Sequence, residues 1–173
     1  MKVDDDVLIN PAGLANIKRE VLDKFREKNS IFGFPVHNSS RHKYGKYSAK
    51  KFLREKFPSF VLGPFYILTA VAVKNIVNAG LDKMVSVPLE DVAITGVLRQ
   101  IAGADIVSIK DHMVPSLDFV YGLIQFFSGD LDECVKHVAE YSVIHCQLNN
   151  VKNITKEEEE RMVNWIWTSV WKN

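Results

Sequence analysis

The sequence predicts a mixed α/β fold, and three observations support that prediction. Short apolar runs alternate along the chain with segments whose apolar residues recur every three or four positions, the spacing of one helix face. The 173 residues are 47% hydrophobic and 25% charged, enough to bury one core. No internal repeat and no linker rich in Gly or Ser divides the chain, so we expect a single unit over residues 1–173.

The first elements are predicted to be two short strands followed by a helix. Met1–Val3 and Val7–Ile9 are short apolar runs on either side of three acidic residues. Asn10-Pro11 then starts a helix, because an Asn side chain accepts hydrogen bonds from the first unpaired amides and Pro suits the first helical position. Apolar residues continue at helical spacing, so we expect this helix to run to about Lys28.

The middle of the chain alternates between strands and helices. Residues 31–36 form a short apolar run that contains Gly and Pro, which indicates an edge or irregular strand, and the polar segment 38–51 is predicted to be a loop. A compact apolar run at 60–68 predicts a buried strand that leads into a helix over 71–80. A clearer helix is predicted over 88–103, between an opening Pro and a closing Gly.

The carboxyl-terminal third carries weaker signals. β-Branched residues predict a short strand at 106–109, and a second strand is expected near 141–145. Residues 111–138 show no pattern that assigns them. Thr155 and Glu158 have the spacing of a capping box, in which two unpaired amides are satisfied reciprocally, so a last helix is predicted over 156–171.

Charge and composition exclude several classes of function. The 22 Lys and Arg against 21 Asp and Glu leave a net charge of +1, which provides no field for capturing nucleic acid. The most apolar stretch, 57–80, is interrupted by Pro, Gly and polar residues and falls short of the ~20 apolar residues of a membrane span. No apolar region follows Met1 as in a signal peptide. Two cysteines are too few for a disulfide scaffold and lack zinc-site spacing.

The acidic triplet Asp4-Asp5-Asp6 is the first candidate for chemistry. Adjacent carboxylates repel one another, and a divalent cation relieves that repulsion while it bridges to a diphosphate. A solvated acidic turn is the alternative, because acidic residues are common before helix starts. The apolar residues on both sides favour the metal, since they predict that the triplet lies at a kink within buried sheet, where unpaired charge is expensive.

Glu90 and Asp91 open the predicted helix that follows Pro88. A carboxylate at a helix amino terminus is stabilised by the helix dipole and tends to stay ionised, so it could act as a general base. Simple capping of the helix is the alternative. The Asn-x-Ser/Thr pattern of N-glycosylation acceptors occurs at Asn38 and Asn153.

Taken in order, the blocks of the chain resemble one family, the inverting β-1,3-glycosyltransferases. That family includes the β-1,3-galactosyltransferases, the β-1,3-N-acetylglucosaminyltransferases and, more distantly, Fringe. The resemblance covers residues 2–103 and, more loosely, 141–167. Its blocks are Lys2-Val3-Asp4-Asp5-Asp6-Val7-Leu8-Ile9-Asn10, Ile31-Phe32-Gly33 with the basic Lys43-Tyr44-Gly45-Lys46, Gly63-Pro64-Phe65-Tyr66, and Pro88-Leu89-Glu90-Asp91-Val92.

The resemblance implies a GT-A type fold and a UDP-sugar-dependent hexosyltransferase that forms β-1,3 linkages on glycan or glycoprotein acceptors. A manganese ion on the triplet would hold the diphosphate of UDP-galactose or UDP-N-acetylglucosamine. Asp91, with Glu90 beside it, would deprotonate the acceptor hydroxyl, which attacks the anomeric carbon in one inverting displacement. The family also uses a late His near the metal, and His145 is the candidate.

The resemblance also suggests substrate contacts and a cellular location. Lys43, Lys46, Gly63 and Tyr66 are candidates for contacts with substrate, although surface lysines and a packed Tyr are as good a description. The family's usual Cys before Gly63 is missing, and the adjacent Pro stiffens the turn, so acceptor binding is expected to differ. Family members are luminal enzymes of the Golgi membrane, and a membrane anchor is expected only in a longer form of this protein.

The family's metal motif lies midway through its catalytic domain, whereas only three residues precede it here. The resemblance therefore implies that residues 1–173 are the carboxyl-terminal part of that domain, without the amino-terminal half of the donor site. The alternative function is a catalytically inactive, truncated relative that acts as a binding or interaction protein.

Overall fold

Strands and helices alternate along the computed structural model, which describes residues 1–41, 48–49, 52–81, 87–117, 120, 122, 131–146 and 155–171. The strands are β1 (Lys2–Val3), β2 (Val7–Ile9), β3 (Ser30–Val36), β4 (Phe60–Leu68), β5 (Asp105–Ser108), β6 (Met113–Val114) and β7 (Val143–His145). The α-helices with both ends among the described residues are α1 (Pro11–Glu20), α2 (Ala70–Leu81), α3 (Arg99–Ile101), α4 (Leu131–Ala139) and α5 (Lys156–Trp165). The remaining helical turns are 3-10 turns at Leu22–Phe25 and Lys110–His112 and π-helical turns at Val92–Leu98 and Ile166–Val170.

The first of two compact units comprises Met1–Asp4 and Arg19–Lys110. It contains a four-stranded sheet in the order β1-β4-β3-β5, in which β4 is antiparallel to β1 and β3, and β3 is parallel to β5. Helix α2 packs on this sheet, and so does the helical segment that ends in α3. The buried residues of the resulting core are Ile31, Val61, Tyr66, Ala72, Ile76 and Ala104.

The second unit comprises Asp5–Lys18 and Asp111–Asn173. Its three-stranded sheet has the order β2-β7-β6, with β7 antiparallel to β2 and parallel to β6. The core of this unit combines residues of the sheet, of α4 and of the carboxyl-terminal helical segment, and its buried members are Val114, Leu117, Val120, Val138, Ile144, Ile166 and Val170. Within the described residues, no helix combines the length and the apolar character that crossing a membrane requires.

Most of the predicted elements are confirmed. The two short strands at the start, the strand over 60–68 and the helix over 71–80 lie where the pattern puts them. Helix 88–103 ends as predicted, because Gly103 adopts a left-handed conformation with φ of 63°. The mixed α/β class is therefore confirmed, while the single unit over 1–173 stays a prediction.

The structure corrects the end of one predicted helix and specifies the type of another. The first helix does not reach Lys28, because α1 ends at Glu20 and Val21 leaves helical geometry with φ of −121°. A 3-10 turn follows, which places Phe25 edge-on against Phe32 at 5.9 Å between ring centroids. The second concerns Val92–Leu98, which is a π-helix. Apolar periodicity predicted a helix there but does not distinguish the wider π turn from the α turn.

The predicted capping box at the start of α5 is confirmed. The Thr155 hydroxyl accepts from the Glu158 amide at 3.3 Å, and a Glu158 carboxylate oxygen accepts from the Thr155 amide at 2.7 Å. Thr155→Ala is expected to lower the free energy of unfolding by about 1 kcal/mol, measured by urea denaturation. The backbone and side-chain hydrogen bonds from Thr155 lower the pKa of Glu158, so this difference should be present at pH 7 and shrink as that carboxylate is protonated.

Thr168→Ala is the matched control for the cap, because its hydroxyl donates to the Asn164 carbonyl within a helix and caps nothing. We expect a smaller loss of stability for Thr168→Ala than for Thr155→Ala. Equal losses would show that the box does not stabilise this helix.

Candidate active site

The acidic triplet joins the two sheets. Asp4 follows β1 of the first sheet, whereas Asp6 precedes β2 of the second. Asp4 is half-buried and Asp5 and Asp6 are exposed, and the strands on either side are only half-buried. The expected kink within buried sheet is therefore wrong. The two apolar runs belong to different sheets.

Asp4 is tied to the first unit by its backbone and its side chain. Its amide donates to the Pro64 carbonyl at 2.9 Å, and its carboxylate lies 2.6 Å from the ammonium of Lys2. An adjacent ammonium offsets the charge of the carboxylate and occupies one of its oxygens. Asp4 therefore has a protein cation as its partner.

Asp6 lies beside His145 in the second unit. β2 and β7 pair so that Val7 is opposite His145, and the Asp6 carbonyl accepts from the amide of Cys146 at 2.7 Å. This pairing brings the Asp6 Oδ2 atom to 3.2 Å from the His145 Nε2 atom. The structure thus brings together two of the four residues that were predicted to hold a metal.

The other ring nitrogen of His145 determines what its Nε2 atom can do. Nδ1 lies 2.9 Å from the Pro115 carbonyl oxygen, which can only accept a hydrogen bond, so Nδ1 carries a proton. In the neutral ring, Nε2 then presents a lone pair toward the Asp6 carboxylate. Two acceptors at this distance need a proton or a cation between them, and a backbone carbonyl behind the ring is the usual support of a metal-binding His.

Asp6 and His145 therefore fit a divalent cation as two neighbouring ligands. Adjacent ligands of an octahedral ion with bonds of about 2.1 Å lie about 3 Å apart, close to the distance observed here. Across the part of the chain that the structure describes, no group of three or more His, Cys, Asp or Glu side chains is placed to hold a metal. The oxygens of a bound diphosphate could supply further ligands to an ion held by this pair.

Asp91 is held at the start of the π-helical segment in the first unit. One carboxylate oxygen accepts from the Val92 amide at 2.8 Å, and the other accepts from the Gly63 amide of β4 at 3.2 Å. The Asp91 carbonyl accepts from the Thr95 hydroxyl at 2.7 Å. The bond from Val92 is the capping contact that was one of the two alternatives, whereas the bond from Gly63 fixes the carboxylate against a strand.

The surroundings of Asp91 make it a stronger base than an exposed aspartate. Burial raises the pKa of its carboxyl, which exceeds the opposing effect of the hydrogen bonds from Val92 and Gly63. A carboxylate with a raised pKa and a fixed orientation is suited to taking a proton from a hydroxyl group. The geometry is compatible with both a helix cap and a general base.

Glu90 and Tyr66 form a second polar contact next to Asp91. The Tyr66 hydroxyl donates to the Glu90 carboxylate, whose other oxygen is 3.9 Å from the Lys2 ammonium. Tyr66 is 3% exposed, and burial, followed by the hydrogen bond to Glu90, raises the pKa of its hydroxyl above its usual value. Tyr66 is therefore a buried hydrogen-bond donor, and its contact with substrate stays a prediction.

The remaining candidates are placed only in part. Gly63 contributes its backbone amide to Asp91, as described above. Asn38 lies exposed after β3 in a left-handed conformation with φ of 55°. Lys43, Lys46 and Asn153 lie outside the described residues.

The sequence analysis missed the roles of two residues in the site, Lys2 and Thr95. Lys2 is two residues before Asp4 on an extended segment, so the two side chains share a face, and that spacing could have predicted their ion pair. Thr95 is one helical turn after Asp91 and is fully buried. A polar residue in a predicted apolar helix face was the available signal for it.

Comparison with known proteins relates the chain to the galactosyltransferases. The family model described as Galactosyltransferase matches residues 1–110. A β-1,3-galactosyltransferase of Caenorhabditis elegans, bre-2, is 34% identical over 121 residues, a match that covers 66% of this chain and 32% of the relative. The chain thus spans about a third of the length of that relative. The segment that matches the family model contains Asp4, Gly63, Tyr66, Glu90 and Asp91. The chain belongs to the galactosyltransferase family.

Proposed function

We propose that the protein transfers galactose from UDP-galactose to a hydroxyl group of a glycan or glycoprotein acceptor, forming a β-1,3 linkage. The observation that supports this most strongly is the half-buried Asp91 carboxylate, which both Val92 and Gly63 orient within the segment that matches the family. The name of the C. elegans relative supports galactose as the sugar and β-1,3 as the linkage.

The proposed reaction is a single inverting displacement. Asp91 accepts the proton of the acceptor hydroxyl, whose oxygen forms a bond to the anomeric carbon while the bond from that carbon to the UDP oxygen breaks. Inversion follows, because the attacking and leaving oxygens are on opposite faces of the sugar. A carboxylate that is already oriented before the acceptor binds lowers the cost of aligning the reacting groups.

A divalent cation, manganese by resemblance, is part of the proposal. Asp6 and His145 would hold it, and when bound it would offset the charge that develops on the UDP leaving group. We do not place Asp4 among the ligands in this proposal, because one oxygen of its carboxylate is paired with Lys2. Asp5 is exposed and is not assigned a contact.

The proposal includes the fold and the place of action. We propose the GT-A type of α/β fold, a luminal location in the Golgi and a role in glycosylation, all by resemblance to the family. Full catalysis is proposed for the protein as its source cells produce it, because the match covers only 32% of the relative.

The metal site is tested by titrating that protein with Mn²⁺ in the presence of UDP and following the electron paramagnetic resonance of unbound Mn²⁺. We expect Asp6→Asn and His145→Gln each to weaken Mn²⁺ binding about tenfold or more, since groups that only support a metal ligand already matter by that much. Asp111→Asn, at an exposed turn of the same unit, is the matched control and should bind as the wild type does.

The same titration compares the contributions of Asp4 and Asp6 to Mn²⁺ binding. Asp4→Asn should have a smaller effect than Asp6→Asn, because the Asp4 carboxylate already has an ammonium partner. Loss of Mn²⁺ binding in Asp4→Asn, with wild-type binding in Asp6→Asn and His145→Gln, would refute the assigned ligand pair.

A further inference from the structure

The Lys2 ammonium is the meeting point of three chain segments in the first unit. It donates to the Gly63 carbonyl, lies 2.6 Å from an Asp4 oxygen and lies 3.9 Å from a Glu90 oxygen. It is also 5.8 Å from the centre of the Tyr66 ring, within the range of a cation–π contact. The side chain is 29% exposed, so these contacts are only partly screened by solvent.

Gly63 lies where β4 departs from regular pairing with β3. Gly33 pairs with Tyr66, and Pro35 pairs with Val61. One residue of β3, Phe34, therefore faces four residues of β4, 62–65. Such a bulge frees backbone groups from the ladder and redirects them. Here the freed groups of Gly63 have partners elsewhere: its amide donates to Asp91, and its carbonyl accepts from Lys2.

The two bonds of Gly63 connect Lys2 to Asp91. The amide of Gly63 fixes one oxygen of the Asp91 carboxylate, and the Lys2 ammonium fixes the carbonyl of the same residue. A Cβ atom at this position would lie 3.3 Å from the Asp91 carboxylate, so the backbone approaches that side chain closely. A shift of the bulge would therefore change the orientation of the Asp91 carboxylate.

Charge adds to this coupling. Asp4, Glu90 and Asp91 are three carboxylates near one another, and Lys2 is the cation between the first two. Without it, Glu90 and Asp4 would keep only their mutual repulsion and the hydrogen bond from Tyr66 to Glu90. The Asp4 carboxylate then loses its cationic partner, while Glu90 keeps the hydrogen bond from Tyr66.

We propose that Lys2 is a positioning residue for the transfer reaction: its ammonium holds the β4 bulge through the Gly63 carbonyl and thereby fixes the Asp91 carboxylate. This inference rests on the proposed role of Asp91 as the general base. Lys2 acts through Gly63 and touches neither substrate nor reacting atoms.

The test combines transfer kinetics with amide hydrogen exchange in Lys2→Met, which keeps most of the length of the side chain and removes its charge. We expect kcat for galactose transfer to fall about tenfold to 100-fold, as for a slightly misplaced reacting group, with KM for UDP-galactose within threefold of wild type. Lys2→Arg, which keeps a cation at this position, should recover most of kcat. Lys74→Met, on the exposed side of α2, is the matched control and should match the wild type.

Amide exchange measured by NMR gives a readout that does not depend on activity. In Lys2→Met the Gly63 amide should exchange about tenfold faster or more, whereas the Val61 amide, which donates to the Thr95 hydroxyl at 2.8 Å, should stay protected. If the Val61 amide also loses protection, the sheet itself has opened. Lys2→Gln, which keeps a polar side chain on this edge strand, is then the variant to be measured.

The outcomes separate this inference from the proposed function. Wild-type Gly63 exchange in Lys2→Met, or faster exchange with unchanged kcat, would overturn the positioning role. Full activity in Asp91→Asn would instead overturn the role of Asp91 as the base, and with it the catalytic part of this inference, while the exchange rates would still show whether Lys2 holds the bulge.

Discussion

Replacing Asp91 with Asn is expected to lower the rate of galactose transfer about 100-fold to 10,000-fold, the usual contribution of a positioned general base. The amide group cannot take a proton from the acceptor hydroxyl. The amide oxygen of Asn can still accept from the Val92 amide, but its NH₂ group would then face the Gly63 amide, which is also a donor. The hydrogen bond that orients the side chain against β4 is therefore lost as well. The measurement is the initial rate of transfer from UDP-galactose at saturating donor.

The pH dependence of the wild-type protein provides an independent check on Asp91. Transfer requires the ionised carboxylate, so the rate should fall as the pH drops through its pKa. Because burial raises that pKa, the fall should occur at higher pH than for an ordinary aspartate, whose pKa is about 3.9. A profile that stays flat down to pH 4 would argue against Asp91 as the base.

Asp105→Asn is the matched control for Asp91→Asn, since it makes the same change at an exposed position of β5 in the same unit. It should leave transfer unchanged. If Asp91→Asn lowers the melting temperature but retains a wild-type rate per folded molecule, Asp91 is a helix cap and no more.

Replacing Gly33 with Ala is expected to have the largest effect on stability. A Cβ atom at this position would lie 2.1 Å from a methyl carbon of Val61 and 3.2 Å from the Phe65 carbonyl oxygen. Val61 and Phe65 are fully buried, so neither can move aside without disturbing the core. We expect the free energy of unfolding to fall by about 1–3 kcal/mol or more, measured by urea denaturation.

Gly122→Ala is the control for this substitution, because none of the residues that the structure describes has an atom within 4 Å of the Cβ position at Gly122, which is helical. There the same change should be neutral or slightly stabilising, since Ala favours a helix more than Gly does. Equal stability of Gly33→Ala and Gly122→Ala would show that β3 and β4 leave room for a Cβ atom at residue 33.

The sequence predicted the elements whose signal is local. The strand over 60–68 and the helix after it were predicted because an apolar run and helical spacing need no knowledge of partners. The capping box at Thr155 was predicted because both of its hydrogen bonds lie within four consecutive residues. Strand order could not be predicted in the same way. The parallel pairing of β3 with β5 joins segments about 75 residues apart.

The candidate site shows the same difference between local signals, which the sequence reveals, and long-range contacts, which it does not. Asp91 and Glu90 were identified from their position at a helix start, and Asp6 from its place in an acidic triplet, both of which are local patterns. The contacts that give these residues their properties are long-range. Gly63 reaches Asp91 only because of a bulge in β4, and His145 reaches Asp6 only through the pairing of β2 with β7.

The error over the triplet has the same origin. Apolar residues on both sides of Asp4-Asp5-Asp6 suggested a single buried sheet, but hydrophobic pattern does not reveal which strand pairs with which. Val3 pairs with Phe65 in one sheet and Val7 pairs with His145 in the other. The triplet connects these two strands, and two of its three carboxylates are exposed.

Galactose transfer by the protein as its source cells produce it is the most direct test of the proposed function. The protein is incubated with UDP-galactose, Mn²⁺ and a panel of glycan acceptors, and both released UDP and the linkage in the product are measured, the latter by NMR. We predict one UDP released for each galactose transferred, a β-1,3 linkage in the product and loss of the reaction in Asp91→Asn. A protein that binds Mn²⁺ and UDP but releases no UDP and forms no galactosylated product with any acceptor would contradict the proposal.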